Sequence, residues 1–195
     1  MDGGSRDGST GLAAEFGAER ILECEPGRAQ QLSAGLETAS GELVLFLHAD
    51  TRLEAGWDAS LRRALGDPAI GGGAFRLAFD SPRPAYRVLE AGVALRCRLL
   101  RLPYGDQGLF ARRKPLLEAG GVQHAPIFED LDLVARIRSL GRLALLPERA
   151  WTSPRRYERN GVLRTVLRNN LALAAYLLGR DRERVADWYR GEVHG

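Results

Sequence analysis

Apolar and polar positions in this 195-residue chain alternate between strand-like and helix-like blocks. The clearest strand is Leu43-Val44-Leu45-Phe46-Leu47, a continuous apolar run ending at His48. Such a run reads as a strand covered on both faces, as in a parallel sheet. Upstream, Pro26 and Gly27 precede Ala29, Leu32, Leu36 and Ala39 at helical spacing, and Gly41 closes that helix. Downstream, the pattern predicts a helix from about Ala55 to Leu65, a strand over Ile70–Phe79 and a helix over Arg83–Leu100 with its charges on one side. Leu109–Ala111 reads as a short strand leading into Arg112-Arg113-Lys114. A helix over Glu129–Ser139 stops at Gly141, a strand over Leu143–Leu146 stops before Pro147, and Val162–Tyr189 is mostly helical. Gly71-Gly72-Gly73 inside a strand pattern predicts a bulge or the close approach of another backbone. With no repeat or linker, this alternation predicts one α/β domain.

Open α/β sheets bind ligands outside the carboxyl ends of their strands. Asp50 falls just past the apolar run, where it could hold a hard cation or a phosphorylated substrate, or simply end the strand in a turn. The composition, 45% hydrophobic, suits a folded domain with a real core. The net charge is +3 and Lys114 is the only lysine, so the basic charge is nearly all arginine, scattered among acids. No nucleic-acid motif or basic stripe interleaved with aromatics accompanies it, so no nucleic-acid partner is expected. Arginine's planar fork also suits phosphate recognition in a small-molecule site. Cys24 and Cys97 form neither a metal-ligand spacing nor a disulfide framework, and no charged-then-apolar leader opens the chain. Reduced thiols and a cytoplasmic location are therefore expected. The longest apolar region, Val162–Leu178, is interrupted by Arg164, Arg168, Asn169 and Asn170 and is too polar to span a bilayer.

The chain opens on a glycine-rich loop, Asp2-Gly3-Gly4-Ser5-Arg6-Asp7-Gly8-Ser9-Thr10, leading to a helix around Leu12–Phe16. Loops of this kind normally follow a strand that aims backbone N–H groups at a ligand. Only Met1 precedes it here, so a strand–helix–strand unit of about 30 residues or more is expected to be missing. A fragment, a misassigned start or a trimmed fold would each account for that.

Several blocks then carry a family resemblance. Asp2 to Thr10, Gly27-Arg28-Ala29-Gln30-Gln31 and Phe46-Leu47-His48-Ala49-Asp50-Thr51 are followed by Tyr104-Gly105-Asp106-Gln107-Gly108-Leu109-Phe110 and Phe128-Glu129-Asp130-Leu131-Asp132-Leu133. In this order, from Asp2 to about Gly161, they resemble the family 2 glycosyltransferases of GT-A fold, in the bacterial branch named for its association with radical-SAM and selenoprotein-related domains. The resemblance implies a GT-A-like (Rossmann-like) mixed, mainly parallel sheet flanked by helices over residues 1–160, incomplete at its N-terminus. A C-terminal helical segment, 161–195, would pack on the same domain.

The resemblance also implies transfer of a sugar from a nucleotide-diphosphate donor to an acceptor nucleophile, with inversion. Asp50 matches the family's ligand for a divalent cation, magnesium or manganese, which neutralises charge on the leaving diphosphate. His48 stands where an aspartate is frequent, and could position the nucleotide or serve as packing. Glu129-Asp130 matches the pair that supplies the base, with Asp130 the first choice and Glu129 the second; acids in a first helical turn also simply complement the helix dipole. Asp106 and Gln107 match a sugar-hydroxyl contact or, alternatively, a turn before a strand. Arg155 and Arg156 could clamp the diphosphate or lie as solvated loop charges, and Arg28 could flank the nucleotide or lie on the surface. Many relatives carry a further aspartate at the position of Gly3; Asp2 remains as a nucleotide contact or a structural residue.

Two other readings compete: a sugar-phosphate nucleotidyltransferase, which would want a lysine in its glycine-rich loop, and an inactive fragment or binding module. One question concerns the last third. Leu163, Val166, Leu167, Leu171, Ala174, Ala175 and Leu178 share one helical face, with Arg164, Arg168 and Arg180 nearby. That face could rest on an anionic membrane, at the inner face of the cell membrane, and reach a lipid-linked acceptor. Packing of the face on the protein's own core is the reading adopted.

Overall fold

A computed structural model describes residues 1–191, so the last four residues of the expected 161–195 segment lie outside the described residues. The chain is mixed α/β. In chain order the elements are α1 (Ser9–Glu15), α2 (Arg28–Thr38), β1 (Leu43–Phe46), β2 (Thr51–Leu53), α3 (Trp57–Gly66), β3 (Ile70–Phe79), α4 (Pro84–Leu100), a 3-10 turn (Gly105–Gln107) and β4 (Leu109–Arg112). They continue with α5 (Arg113–Glu118), α6 (Glu129–Ser139), β5 (Arg142–Thr152), α7 (Arg155–Asn160), α8 (Val162–Leu177) and α9 (Arg182–Arg190).

The sheet runs in the order β1-β4-β3-β5-β2. It is mixed, as expected, but it is not mainly parallel. Among the described strands of the sheet only β3 and β5 pair in parallel; β1–β4, β3–β4 and β2–β5 are antiparallel. The apolar run of β1 was a sound guide to burial but not to direction. Val44 and Phe46 enter one core cluster with Leu36, Leu133 and Ile137, while Leu43 and Leu45 pack on the other side with Leu61, Leu65, Phe75 and Phe110. Helices thus cover both faces, and coverage of both faces does not fix which way a neighbour runs. Because β1 and β3 are each antiparallel to β4, the strands β1, β3 and β5 still point the same way.

The triple glycine does what its pattern predicts. A Cβ at Gly71 would lie 2.5 Å from the Ile137 carbonyl oxygen, and one at Gly72 would overlap the Phe110 carbonyl oxygen. One at Gly73 would overlap that of Ala144. β3 is central, between β4 and β5, and its glycines let the flanking backbone and α6 close in. The strand expected to stop before Pro147 instead continues to Thr152. The β3–β5 register breaks between Ala74↔Leu145 and Arg76↔Arg149, so Pro147 sits in a bulge where no ladder N–H is required. Arg113 donates to the Leu36 and Glu37 carbonyl oxygens at 3.0 and 2.8 Å, a cation at the carboxyl end of α2.

The C-terminal helices are tied to α6. Arg182 forms an ion pair with Asp132 at 2.7 Å and donates to the Ile127 carbonyl oxygen at 2.6 Å, while Tyr176 donates to Asp132 at 3.2 Å. The expected packing of the α8 leucine face on the core is overturned. α8 turns Thr165 and Ala172 inward and leaves Leu163, Leu167, Leu171 and Leu178 exposed. Among the described residues no helix is long and apolar enough to cross a membrane.

Candidate functional site

The carboxyl ends of β1, β3 and β5 open into a cleft of about 300 Å³, the position where open α/β sheets hold ligands. Its walls come from eight separated parts of the chain, and local features place the charged ones. A tight turn after β1, with the Thr51 N–H donating to the His48 carbonyl oxygen at 3.0 Å, presents His48 and Asp50. The Ser153 N–H donates to the Asp50 carbonyl oxygen at 3.1 Å and fixes that turn against the end of β5. Gly27, with φ 145°, turns the chain so that Arg28 opens α2 beside His48. The 3-10 turn before β4 supplies Asp106, and α6 opens with Glu129 and Asp130.

Phe128, immediately before α6, has φ 63°, a left-handed conformation that costs a bulky residue about 1–3 kcal/mol. Its ring is held by Tyr176, with centroids 5.0 Å apart. This bend sets the entry of the carboxylate pair into the cleft. Strain of this kind gathers at functional sites.

Arg28 is the hub of the site. Its Nη2 donates to His48 Nε2 at 2.7 Å, and its Nε lies 3.0 Å from Glu129 Oε1. The second contact is an ion pair without hydrogen-bond alignment, so Glu129 Oε1 is buried with no hydrogen-bond donor. Burial pushes the Glu129 carboxyl up, with Arg28 opposing. Burial, and then the neighbouring guanidinium, holds His48 below its usual range. His48 is therefore neutral at pH 7, accepts at Nε2 and carries its proton on Nδ1.

Asp130 is fixed by two amides: the Gly105 N–H donates to Oδ2 and the Leu131 N–H to Oδ1, both at 3.0 Å. The first of these ties the start of α6 to the loop that carries Asp106. The Asp106 carboxyl is enclosed although the residue as a whole is half-buried, and its Oδ1 has no hydrogen-bond partner among the described residues. Burial, and then the Asp130 charge, pushes it up to about 6. Gly105 leaves no slack here: a Cβ would sit 3.0 Å from His48 Nε2 and 3.3 Å from Asp130 Cβ.

Seven of the ten residues singled out from the sequence thus meet in one cleft: Arg28, His48, Asp50, Asp106, Glu129, Asp130 and Arg156. Three do not. Gln107 is buried and spent inside the protein; its amide donates to the Phe75 carbonyl oxygen at 2.9 Å and its oxygen accepts from the Tyr104 N–H at 3.1 Å. Arg96 at 3.3 Å and the Cys97 thiol at 3.4 Å share that oxygen. Asp2 accepts from the N–H groups of Gly4 and Ser5 at 2.9 and 2.8 Å and from the Ser5 hydroxyl, anchoring its own loop away from the cleft lining. These Ser5 bonds hold its carboxyl below the usual range. Arg155 bonds Ser153 at 3.1 Å and stays outside the lining.

Tyr157, Tyr189 and Asn169, which with Tyr104 make an aromatic wall of the cleft, were not foreseen from the sequence. Tyr157 stacks edge-on against Phe79 at 5.2 Å, and burial pushes its hydroxyl up to about 12. Arg156 stacks over Tyr189 at 4.9 Å and also bonds its hydroxyl. Tyr189 in turn donates to Asn169 at 2.7 Å. Tyr157, Asn169 and Tyr189 stand on helices in the last third of the chain, with no motif spacing to flag them.

No family model and no curated protein matches this chain. Fold and cleft define a mixed α/β protein with an acidic, arginine-bridged site at the carboxyl ends of three co-directional strands.

Proposed function

We propose that the chain is a glycosyltransferase of GT-A type that moves a sugar from a nucleotide-diphosphate donor to an acceptor hydroxyl. The observation that carries the reading is convergence. Residues taken from four separated motifs, Arg28, His48 with Asp50, Asp106, and Glu129 with Asp130, line one cleft.

Asp130 is the base in this proposal. Its two amide bonds orient the carboxylate and leave lone pairs on both oxygens for the acceptor hydroxyl. As the acceptor oxygen attacks the anomeric carbon, its proton passes to Asp130 and the bond from that carbon to the diphosphate oxygen breaks. Arg156, held against Tyr189, and Arg28 supply positive charge toward the departing diphosphate. The Asp106 carboxyl faces the cleft with an unpartnered oxygen, fitted to read a sugar hydroxyl. Glu129 serves mainly to hold Arg28.

Asp50 is exposed, and among the described residues its carboxylate has no hydrogen bond or ion pair. No group of three or more His, Cys, Asp or Glu residues that could hold a metal occurs among the described residues. This donor set fits magnesium or manganese held by one carboxylate together with substrate phosphates and water. When bound, such a cation neutralises the leaving diphosphate as a Lewis acid.

The test is calorimetric titration with uridine and guanosine diphosphates, with and without manganese, on the wild type and Asp50→Ala. Manganese-dependent binding lost in the variant supports the reading. Binding that ignores both manganese and the substitution, or no binding of any nucleoside diphosphate by the folded protein, refutes it.

A further inference from the structure

α8 is amphipathic in the wrong sense for a helix that packs on its own protein. Its inward line includes Thr165 and Ala172, with Asn169 bonded to Tyr189. Its outward line is leucine: Leu163 is 86% exposed, Leu167 61% and Leu178, just past the end, 79%. α4 repeats the inversion. Charged residues take inward duties, Glu90 accepting from the Phe79 N–H at 2.7 Å and Arg96 stacking over Tyr104 at 3.5 Å. Val88, Leu95, Leu99 and Leu100 stay exposed.

Single exposed apolar side chains need no explanation. Here eight of the fifteen large exposed apolar residues among the described residues fall on these two helices, and Leu178 directly follows α8. The helices are also neighbours: Leu89 and Val93 of α4 and Val162 of α8 pack on one cluster of Leu77, Phe79 and Tyr86.

Charge decides what covers this surface. Residues 84–101 and 162–180 together hold seven arginines and a single acid, Glu90. That acid pairs with Arg87 at 3.0 Å and is nearly buried. Arg98, Arg101, Arg164 and Arg180 are exposed. A second copy docked through the same face would set these arginines against one another, whereas an anionic bilayer accepts both the leucines and the arginines.

We propose that α4 and α8 form a surface that docks the protein on an anionic lipid bilayer, lying on it without crossing. Asn169, from the inward side of α8, lines the cleft, so docking would hold the cleft about one helix diameter, roughly 10 Å, from the lipid. The proposal rests on exposure and charge and is independent of the transfer reaction.

It is tested by flotation with phosphatidylcholine vesicles that contain phosphatidylglycerol, against vesicles of phosphatidylcholine alone. The protein is expected to float with the anionic vesicles, and less as salt rises. Leu95→Glu and Leu167→Glu, both at exposed positions and checked for folding by circular dichroism, should each weaken partitioning by about tenfold. Absence of flotation with the anionic vesicles, or flotation indifferent to both substitutions, overturns the proposal. So does a lipid-free dimer in light scattering that Leu167→Glu converts to monomer, which would assign the surface to a second copy.

Discussion

Replacing Asp106 by asparagine should make the protein more stable at neutral pH, although the residue faces the proposed site. In the folded protein burial, helped by the Asp130 charge, raises this carboxyl from 3.8 to about 6. The unfolded chain carries the charge in water from about pH 3.8 upward, while the folded one resists it until about pH 6. A raised carboxyl costs nothing below the lower value, where both states are protonated. Stability is lost as pH climbs through the interval, and the loss persists above it. At about 1.4 kcal/mol per pH unit, the interval corresponds to a penalty of about 3 kcal/mol. That is a large share of the roughly 5–15 kcal/mol that holds a domain folded. Asp106→Asn carries no charge in either state. In urea unfolding it should exceed the wild type by up to about 3 kcal/mol at about pH 7.5, with an unchanged denaturant slope, and converge with it toward about pH 4. An asparagine variant no more stable than wild type at pH 7.5, with the same decline between the two pH values, would refute the reasoning. A carboxylate kept where it costs stability marks a working group.

Other substitutions probe the surrounding framework. Arg28→Met strips the counter-charge from buried Glu129, and should cost about 1–2 kcal/mol at neutral pH, since the arginine is half-exposed and partly screened. Adding Glu129→Gln should recover about 1 kcal/mol, and a double-mutant cycle in urea showing no coupling would disprove the pairing. Gln107→Leu leaves the Tyr104 N–H and the Phe75 carbonyl unpartnered and should cost about 2–3 kcal/mol; a melting temperature equal to wild type would show that these bonds do not matter. Gly73→Ala drives a methyl into the Ala144 carbonyl oxygen and to 2.6 Å from Phe110 Cζ. A loss of about 3 kcal/mol or more is expected in thermal unfolding, and a variant that melts with the wild type would contradict the close packing.

Local chemistry was legible in the sequence because it is written in spacing. Ile70–Phe79 and Glu129–Ser139 were read to the residue, since period and terminating glycines act within a few positions. The glycine triplet announced a close backbone approach for the same reason. The short β2 was missed, because three residues carry no period and Thr51–Leu53 becomes a strand only by pairing with the end of β5. The same pairing carries β5 past Pro147.

Within the site, motif residues could be named, but their partners could not. Asp106 and Gln107 are adjacent in sequence, yet one faces the cleft and the other is consumed inside by Phe75 and Tyr104. Arg28 is joined to His48 and Glu129 across 20 and 101 positions, a relation no local pattern encodes. The leucine stripe of α8 gives the sharpest division. Periodicity determined that the residues share a face, but only the packing of Thr165, Ala172 and Asn169 decided that this face looks outward. A helix's pattern fixes which side chains stand together; which side turns inward depends on the neighbours it meets, and those come from distant parts of the chain.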